Sequence, residues 1–424
     1  MNKKLNNIFK GDKVIWMVFF FLCLISIVEV YSASSRLTFR GGDYITPIIK
    51  HVSILFLGFC CMVVVLQIKC KYFKIVTPFL LILSILLLIM ALAIGHSEGD
   101  ASRWIGLFGL KFQPSEIAKG TLVLATAQIL SAMQTPDGAD PQAFKYILAV
   151  SACIVPLILL ENFSTAILIS CVIFMMMLIG RVPQQQLGKL LGVVVIIGAV
   201  FIFLIMISRP TDDSNGNRQL TEQVATNNEK TDKSIFEKVF HRFGTWKSRI
   251  LEFADGKDIP PEKVDLSDKG AQTAYANIAI ASSKVLGKGP GNSETRDSLS
   301  LAFSDFIYAI IIEEMGIFGA AFVALLYIIL LFRTGRIANR CANNFPAFLA
   351  MGLALLLSTQ ALFNMCVAVG LAPVTGQPLP LISRGGTSSV INCIYLGVIL
   401  SISRSAKKKE IDTDAVVEAK LVSA

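Results

Sequence analysis

Charged residues are scarce in this chain, and hydrophobic residues are abundant. Only 16% of its 424 residues are charged, whereas 54% are hydrophobic. This balance excludes an ordinary soluble domain, because long apolar runs have no aqueous core large enough to bury them. We therefore predict an all-α polytopic membrane protein, in which residues 1–424 form a single transmembrane domain.

Acidic residues are the scarcer of the two charged classes, and the formal net charge is +9. A basic chain raises the question of a nucleic-acid partner. Here, however, Lys and Arg cluster at the ends of apolar runs, where anionic lipid headgroups are the expected counterions. We expect no nucleic acid among the partners.

Two features that would place the chain in other classes are missing. The first apolar run, residues 14–30, has no small-residue cleavage site before the next run, so we expect it to be retained as the first membrane helix. The segment Gly287-Lys-Gly-Pro-Gly-Asn-Ser293 lacks the spacing of a nucleotide-binding P-loop. We therefore predict no ATP site there.

Ten apolar runs are long enough to cross about 30 Å of hydrocarbon as helices. A polar pair, Glu161 and Asn162, favours a turn between two runs that could otherwise form one long helix. An odd number of spans would also put the basic C-terminal cluster on the wrong side. The runs lie near residues 14–34, 47–67, 74–95, 114–133, 146–161, 163–180, 188–208, 303–332, 346–370 and 387–403.

Basic residues precede the first run and follow the second, sixth, eighth and tenth runs. The positive-inside rule makes this side cytoplasmic, so we predict cytoplasmic termini and a cytoplasmic tail at 404–424. None of the nine cysteines falls in a predicted outer loop, and we expect no disulfide. The basic residues are Lys3, Lys4, Lys10, Lys13, Lys69, Lys71, Lys74, Arg181, Lys189, Arg333, Arg336, Arg340, Arg404, Lys407, Lys408 and Lys409.

A large extracytoplasmic loop is predicted at about 209–302. Its first part, residues 211–233, is rich in Asn, Asp, Thr and Gln and is typical of a flexible segment. Large apolar side chains then recur at helical spacing across 234–253, opposite Lys and Arg. This pattern predicts an interfacial amphipathic helix on the outer leaflet. Packing of the same helix on the rest of the loop is the alternative.

Three carboxylates, Asp305, Glu313 and Glu314, interrupt the apolar run near 303–332. A carboxylate at the centre of a membrane helix costs about 2.5–3.5 kcal/mol on insertion scales, so it usually faces a partner or a water-filled cavity. Asp305 at the mouth of this span is therefore a candidate functional residue. Alternatively, Ser304 and Asp305 only cap a helix.

Two other predicted outer loops carry candidate ligand-binding residues. Arg103 precedes a segment in which Gln113 and Pro114 begin a helix and Glu116 lies three residues before Lys119, so the last two can pair. Either this pair offers a cation to an anionic ligand, or it neutralises itself and snorkels. The last loop presents small and hydroxylated residues whose backbone N–H groups suit an anion, unless the loop is a simple re-entrant turn. Its candidates are Thr375, Ser383, Arg384, Gly385 and Gly386.

Taken together, these segments resemble the SEDS family (shape, elongation, division and sporulation proteins), which are membrane glycosyltransferases. The resemblance spans nearly the whole chain. The end of the first span, Tyr31-Ser-Ala-Ser34, is more similar to the division members than to the elongation members. The matching motifs are Arg103-Trp-Ile, Phe112-Gln-Pro-Ser-Glu116 with Lys119, Gly287-Lys-Gly-x-Gly-Asn-Ser293, Ser304-Asp-Phe-Ile-Tyr308, Glu313-Glu-x-Gly316, Asn364, Pro373-x-Thr-Gly376, Leu379-Pro and Ile382-Ser-x-Gly-Gly386.

The chain departs from the family pattern at three places. Glu161-Asn-Phe-Ser-Thr165 replaces Pro-Asp-Leu-Gly-Thr, which puts in doubt a proton or metal role there. Ser300-Leu-Ala-Phe303 replaces Pro-Glu-Ala-His, so no general base is available at those positions. Arg384 stands where a Tyr is usual. None of these changes affects Asp305.

The resemblance implies that the protein polymerises lipid II into peptidoglycan strands at the outer face of the bacterial cytoplasmic membrane, during division and at midcell. Asp305 would act as the base or as a ligand of Mg²⁺ or Mn²⁺. A class B penicillin-binding protein with transpeptidase activity and other division proteins would be partners. Supporting residues would be Ser304, Glu313, Glu314 and Asn364. Substrate contacts would come from Arg103, Gln113, Glu116, Lys119, Gln272, Lys288, Asn292, Ser293, Thr375, Ser383, Arg384, Gly385 and Gly386.

Two alternative functions fit the same membrane architecture. A lipid II flippase would use buried charges to line a path through the bilayer, and a scaffold would activate a transpeptidase without chemistry of its own. Charges concentrated at one outer site favour the enzyme, whereas charges spread through the bilayer depth would favour transport.

Overall fold

The computed structural model describes residues 9–33, 45–94, 96–97, 102–107, 110–207, 253, 271–297, 299 and 304–422. Within these ranges, seven helices are long and apolar enough to cross a membrane, and 163–179 and 184–200 form shorter apolar helices. The protein is therefore a polytopic α-helical membrane protein, as predicted. The interfacial helix expected at 234–253 lies outside the described residues, apart from Phe253.

Ten of the helices coincide with the ten apolar runs of the sequence. The additional one, α8, lies in the segment predicted as the large outer loop. The helices are α1 Lys13–Ala33, α2 Ile45–Gln67, α3 Cys70–Ile94, α4 Pro114–Ala132, α5 Pro141–Glu161, α6 Phe163–Ile179, α7 Gln184–Ile207, α8 Ala271–Ser282, α9 Ile307–Asn339, α10 Asn344–Ala368 and α11 Thr387–Val422.

The predicted break between α5 and α6 is confirmed. Asn162 ends α5 and begins α6, and its side-chain oxygen accepts hydrogen bonds from the backbone N–H groups of Ser164 and Thr165 at 3.1 and 3.4 Å. A side chain that caps two of the first free N–H groups of a helix favours a new start over a continuous helix. The polar residue thus turns the chain.

Helix α9 differs from its predicted range of 303–332. It begins at Ile307, after Asp305, and continues to Asn339. The predicted tail from 404 onward also continues as helix α11 through Val422. Both differences arise because helix length is limited by capping and packing as well as by the apolar run.

Two small antiparallel sheets accompany the helices. Strands β1 (His96–Ser97), β2 (Ser102–Leu107) and β3 (Leu110–Phe112) form the first sheet, with Ile105 opposite Phe112. Strands β4 (Gln134–Thr135) and β5 (Gly138–Ala139) form the second. The prediction of an all-α protein holds for the membrane helices, and the sheets connect their ends.

Helix α10 contacts α4, α6, α9 and α11. Close packing needs small residues in a membrane bundle. A Cβ atom at Gly352 would lie 2.7 Å from side-chain atoms of Met176 and Val123. The chain divides into two compact units. Residues 1–183 and 258–424 form one unit, and residues 184–257, which include α7, form the other.

Candidate functional site

Asp305 lies in a turn directly before α9 and is 8% exposed. Its Oδ1 atom accepts a hydrogen bond of 2.9 Å from the Ser304 hydroxyl. The residue at the N-cap position of α9 is Phe306, which makes no side-chain cap. Asp305 therefore lies one residue before the N-cap position of α9.

The backbone of this turn is fixed from two directions. Asn364 on α10 donates from Nδ2 to the carbonyl oxygen of Asp305 at 2.9 Å and to that of Gln377 at 2.8 Å. Ser383 donates from Oγ to the Ser304 carbonyl at 2.6 Å and accepts from the Leu379 N–H at 2.8 Å. The start of α9 is thereby held against α10 and the last loop.

The predicted pairing of Glu116 with Lys119 is confirmed. Lys119 Nζ lies 2.8 Å from Glu116 Oε1, and the two side chains are 0% and 2% exposed. Lys119 also donates to Gln360 Oε1 at 2.9 Å, and Gln360 Nε2 donates to the Pro378 carbonyl at 3.0 Å. Because both charges are buried, the pair does not snorkel to the surface.

Helix α10 joins these two groups. Gln360 and Asn364 are four residues apart and share one face of the helix. Gln360 contacts Lys119, and Asn364 contacts the turn that carries Asp305. We call this arrangement the Asp305 cluster, and it consists of Glu116, Lys119, Ser304, Asp305, Gln360, Asn364, Gln377 and Ser383.

Glu313 lies about two helical turns further along α9 and receives many hydrogen bonds. Its carboxylate accepts from Lys288 Nζ at 2.9 Å, from the Ser293 and Thr295 hydroxyls at 2.5 Å, and from the Glu294 N–H at 3.1 Å. Lys288 and Ser293, predicted to contact substrate, are thus used to hold their own loop on α9.

The neighbouring Glu314 accepts hydrogen bonds from two other parts of the chain. Its oxygens accept from the N–H groups of Gly291 at 2.9 Å and Ser293 at 3.4 Å, and from the hydroxyl of Ser32 on α1. Arg296 Nη1 donates to Ser32 Oγ at 3.1 Å and to the Gly291 carbonyl at 2.7 Å. This Glu314 junction connects α1, α9 and residues 291–296.

A kink in α9 makes room for the loop. Gly316 has φ of 68°, and the freed carbonyl groups of Glu313 and Glu314 accept from the N–H groups of Lys288 and Gly289 at 2.9 and 2.8 Å. A Cβ atom at Gly287 would lie 2.3 Å from the Glu314 carbonyl oxygen. Both positions therefore require glycine.

Two cations outside the membrane helices have shifted pKa values. The hydrogen bonds from Lys288 to Glu313 and to Glu294 raise the pKa of its ammonium group. Burial lowers the pKa of the Arg384 guanidinium. The Lys288 ammonium group is therefore stabilised in its charged form by its carboxylate partners. A bound anion would favour the charged form of Arg384.

The remaining predicted residues are not members of the Asp305 cluster. Arg103 is on β2, which contacts α3 and α4, while its side chain lies outside the described part. Gly385 and Gly386 accept from Ser388 and Ser389 as α11 begins. Asn292 is exposed, Thr375 is buried, and three residues are half-buried, namely Gln113, Gln272 and Arg384.

A divalent cation was predicted at Asp305. Among the described residues, no group of three or more His, Cys, Asp or Glu side chains could hold a metal ion. Asp305 contributes one carboxylate, which fits Mg²⁺ only if phosphate oxygens of a bound ligand complete the shell. The described residues do not form a metal site by themselves.

Sequence reasoning missed several residues that build the site. Gln360 and Gln377 complete the Asp305 cluster, and Gln377 Nε2 donates to Thr165 Oγ1 at 2.6 Å. The Tyr395 hydroxyl donates to the Glu116 carbonyl at 2.5 Å. The signal in the sequence was the pair of amide side chains at 360 and 364 in a largely apolar helix.

Curated relatives cover nearly the full chain. The "Probable peptidoglycan glycosyltransferase FtsW" of Geobacter sp. (strain M18) is 29% identical over 401 residues, 92% of this chain and 96% of the relative. The protein of the same name from Geobacter sulfurreducens (strain DL-1 / KN400) is 29% identical over 417 residues, 96% of this chain and 99% of the relative.

Solved structures share the fold. A chain from "Structural coordination of polymerization and crosslinking by a peptidoglycan synthase complex" has a TM-score of 0.68 at 22% identity, covering 93% of this chain and 98% of that one. The rod shape determining protein RodA of Thermus thermophilus has a TM-score of 0.61 at 21% identity, covering 93% and 97%. The FtsW/RodA/SpoVE family model, described as "Cell cycle protein", matches residues 12–408, and the chain belongs to this family.

Proposed function

We propose that this protein is a peptidoglycan glycosyltransferase that polymerises lipid II during cell division. Family membership and the names of the curated relatives support the reaction class. The main structural support for the proposal is the Asp305 cluster. In this cluster, α10 contacts both the turn that carries Asp305 and the buried Lys119–Glu116 pair.

In the proposed reaction, the C4 hydroxyl oxygen of one glycan attacks the anomeric carbon of another. The proton of the hydroxyl passes to the Asp305 carboxylate, and the bond from the anomeric carbon to the diphosphate breaks, with its electron pair leaving on the undecaprenyl diphosphate. A positioned base of this kind typically contributes about 10²–10⁴-fold. Because Asn364 and Ser383 fix the backbone on both sides, Asp305 is held in place for this transfer.

The leaving diphosphate needs positive charge. Arg384, half-buried in the last loop, and Arg103 on β2 are the proposed contacts. Lys119 is neutralised by Glu116 and contributes as a hydrogen-bond donor within the cluster. Mg²⁺ or Mn²⁺ would supply further charge stabilisation if it enters with the diphosphate, with Asp305 as its protein ligand.

The polymerisation assay uses purified protein and labelled lipid II. We expect glycan strands of increasing length, and we expect a chelator to slow their formation if a divalent cation participates. Movement of lipid II across a vesicle membrane without strand formation would instead favour a flippase. Absence of both reactions, together with activation of a transpeptidase, would favour a scaffold.

The proposed partner is a class B penicillin-binding protein within a larger division assembly. The fold neighbour whose title describes coordinated polymerisation and crosslinking supports a transpeptidase partner of this general kind. We place the termini in the cytoplasm, the Asp305 cluster at the outer face and the protein at midcell. Native membranes that yield the protein without an enriched transpeptidase would count against the partner, and lateral localisation would favour an elongation role.

A further inference from the structure

Glu29 on α1 is a fully buried carboxyl group. Its exposed fraction is 0%, and neither carboxyl oxygen has a hydrogen-bond partner in the described part of the chain. The residue lies near the end of a helix that is long and apolar enough to span the membrane. An isolated buried carboxylate is strongly unfavourable, and such groups usually become neutral.

The position of Glu29 on α1 places it beside the Glu314 junction. Ser32 is three residues further along the helix and therefore shares its face. The Ser32 hydroxyl donates to Glu314, so this face of α1 is turned toward α9. The Glu314 carboxylate also acts electrostatically on Glu29. Two carboxyl groups are thus brought together in a buried region.

Among the described residues, the charged and titratable groups around Glu29 come from α2, α9 and two loops. Glu314 faces Glu29 from α9, and Arg296 comes from the outer loop, where it donates to Ser32 Oγ and the Gly291 carbonyl. On α2, His51 Nε2 lies 2.8 Å from the hydroxyl of Ser26, one turn before Glu29 on α1. Arg384 in the last loop acts electrostatically on His51. Neither oxygen of Glu29 has a hydrogen-bond partner among the described residues, so an ionised Glu29 would be a buried carboxylate with no cation bonded directly to it.

We infer that Glu29 is a proton-binding site, in which a neutral carboxylic acid faces Glu314 at the contact between α1 and α9. The bound proton removes the repulsion between the two groups, so α1 stays packed beside the junction that holds residues 291–296 on α9. Loss of the proton would place two like charges in a buried space and weaken the contact between α1 and this loop. This inference is independent of the proposed glycosyl transfer.

Infrared spectroscopy of the purified full chain tests the inference. A neutral carboxylic acid has a carbonyl stretching band that ionised carboxylates lack. We expect this band near neutral pH in the wild type and in Glu294→Gln, a control that removes an exposed carboxylate. We expect its loss in Glu29→Gln, which keeps the size and neutrality of the side chain. A band of equal intensity in all three proteins would overturn the inference.

Two further measurements keep the test decisive if Glu29→Gln folds poorly. Labelling the carboxyl carbons of Glu with ¹³C should shift the band in wild-type protein, and a wild-type spectrum without such a Glu band near neutral pH would overturn the inference. Thermal unfolding of the wild type should be insensitive to removal of Na⁺ and Mg²⁺. A fall in wild-type stability on removal of either cation would overturn the inference, because a bound cation could then neutralise Glu29 in place of the proton.

Discussion

The turn that carries Asp305 is held through its backbone by side chains from two other segments. Asn364 and Ser383 bind carbonyl groups on either side of its side chain, and these bonds do not require the Asp305 charge. A residue that is held in this way can lose its charge without loss of the turn. Stability and chemistry at this position can therefore be measured separately.

Replacing Asn364 with Ala tests the support of the turn. The change leaves the buried carbonyl groups of Asp305 and Gln377 without their shared donor, which should lower the free energy of unfolding by about 1–3 kcal/mol. We expect a lower unfolding temperature and slower strand formation by the folded fraction. Leu362→Ala, on the same helix at a side chain that is 59% exposed, is the control. Equal effects of the two changes would contradict the role of Asn364.

Replacing Lys119 with Met tests the buried pair. Removal of one partner leaves the Glu116 carboxylate buried and uncompensated, which typically costs about 3–5 kcal/mol. The double variant Lys119→Met with Glu116→Gln removes both charges and should recover most of the stability, as measured by thermal unfolding. If Lys119 also serves the reaction, strand formation remains low in the double variant. Full recovery of both thermal stability and strand formation in the double variant would show that the pair contributes to stability alone.

At the residue scale, the sequence indicated Asp305 and the Glu116–Lys119 pair because charges in apolar runs are conspicuous. It did not indicate Gln360 and Gln377, since their roles depend on contacts between residues far apart in the chain. Lys288 and Ser293 were predicted from a loop motif to contact substrate. Their bonds to Glu313 became apparent only when α9 and the loop were seen together.

Helix α9 is the element that organises this end of the molecule. It begins beside Asp305, carries Glu313 and Glu314, and kinks at Gly316 to expose two carbonyl groups to the loop at 287–289. The kink thus allows a polar loop to bind to an otherwise continuous apolar helix. Its cause is a single glycine in the left-handed region of backbone space.

Replacing Gly316 with Ala tests the kink. The new Cβ atom would lie 2.3 Å from the Val285 carbonyl oxygen at a φ of 68°, so backbone and loop must shift. We expect the free energy of unfolding to fall by about 1–3 kcal/mol, as measured by thermal unfolding. We also expect proteases to cleave residues 285–296 more readily. Gly335→Ala on the same helix is the control, because its nearest neighbour is 4.0 Å away. That change should stabilise by about 0.5–1 kcal/mol. A Gly316→Ala protein as stable as the wild type would contradict the need for a kink.

At the element scale, apolar length predicted the ten runs well, and the cap at Asn162 explains why the break after Glu161 was predictable. The kink and the first sheet were not predicted. The kink was not predictable because glycine has several uses within an apolar run such as the one that contains Gly316. The sheet was not predictable because β2 and β3 are held by their pairing and by contacts with α3, α4 and α11. Such contacts leave little local pattern.

In the whole molecule, polymerisation at the outer face requires the Asp305 end to lie outside the cytoplasm. A single cysteine at Ser214, in a variant from which the nine natural cysteines have been removed, tests this orientation. We expect reaction with an impermeant thiol reagent on intact cells, after permeabilisation of any outer membrane. A cysteine at Ala342, in the predicted cytoplasmic loop after α9, is the control and should react only when the inner membrane is opened. The reverse pattern would contradict the topology and the location of the site.

Strand formation from labelled lipid II by purified Asp305→Asn protein directly tests whether Asp305 carries glycosyl transfer. The amide keeps the size of the side chain and removes the charge that a base or a cation ligand requires. We predict unchanged folding and lipid II binding, with polymerisation reduced by about 10²-fold or more. Asp137→Asn, at an exposed position between β4 and β5, should polymerise like the wild type. Strand formation by folded Asp305→Asn protein at the wild-type rate would contradict the assignment of glycosyl transfer to Asp305.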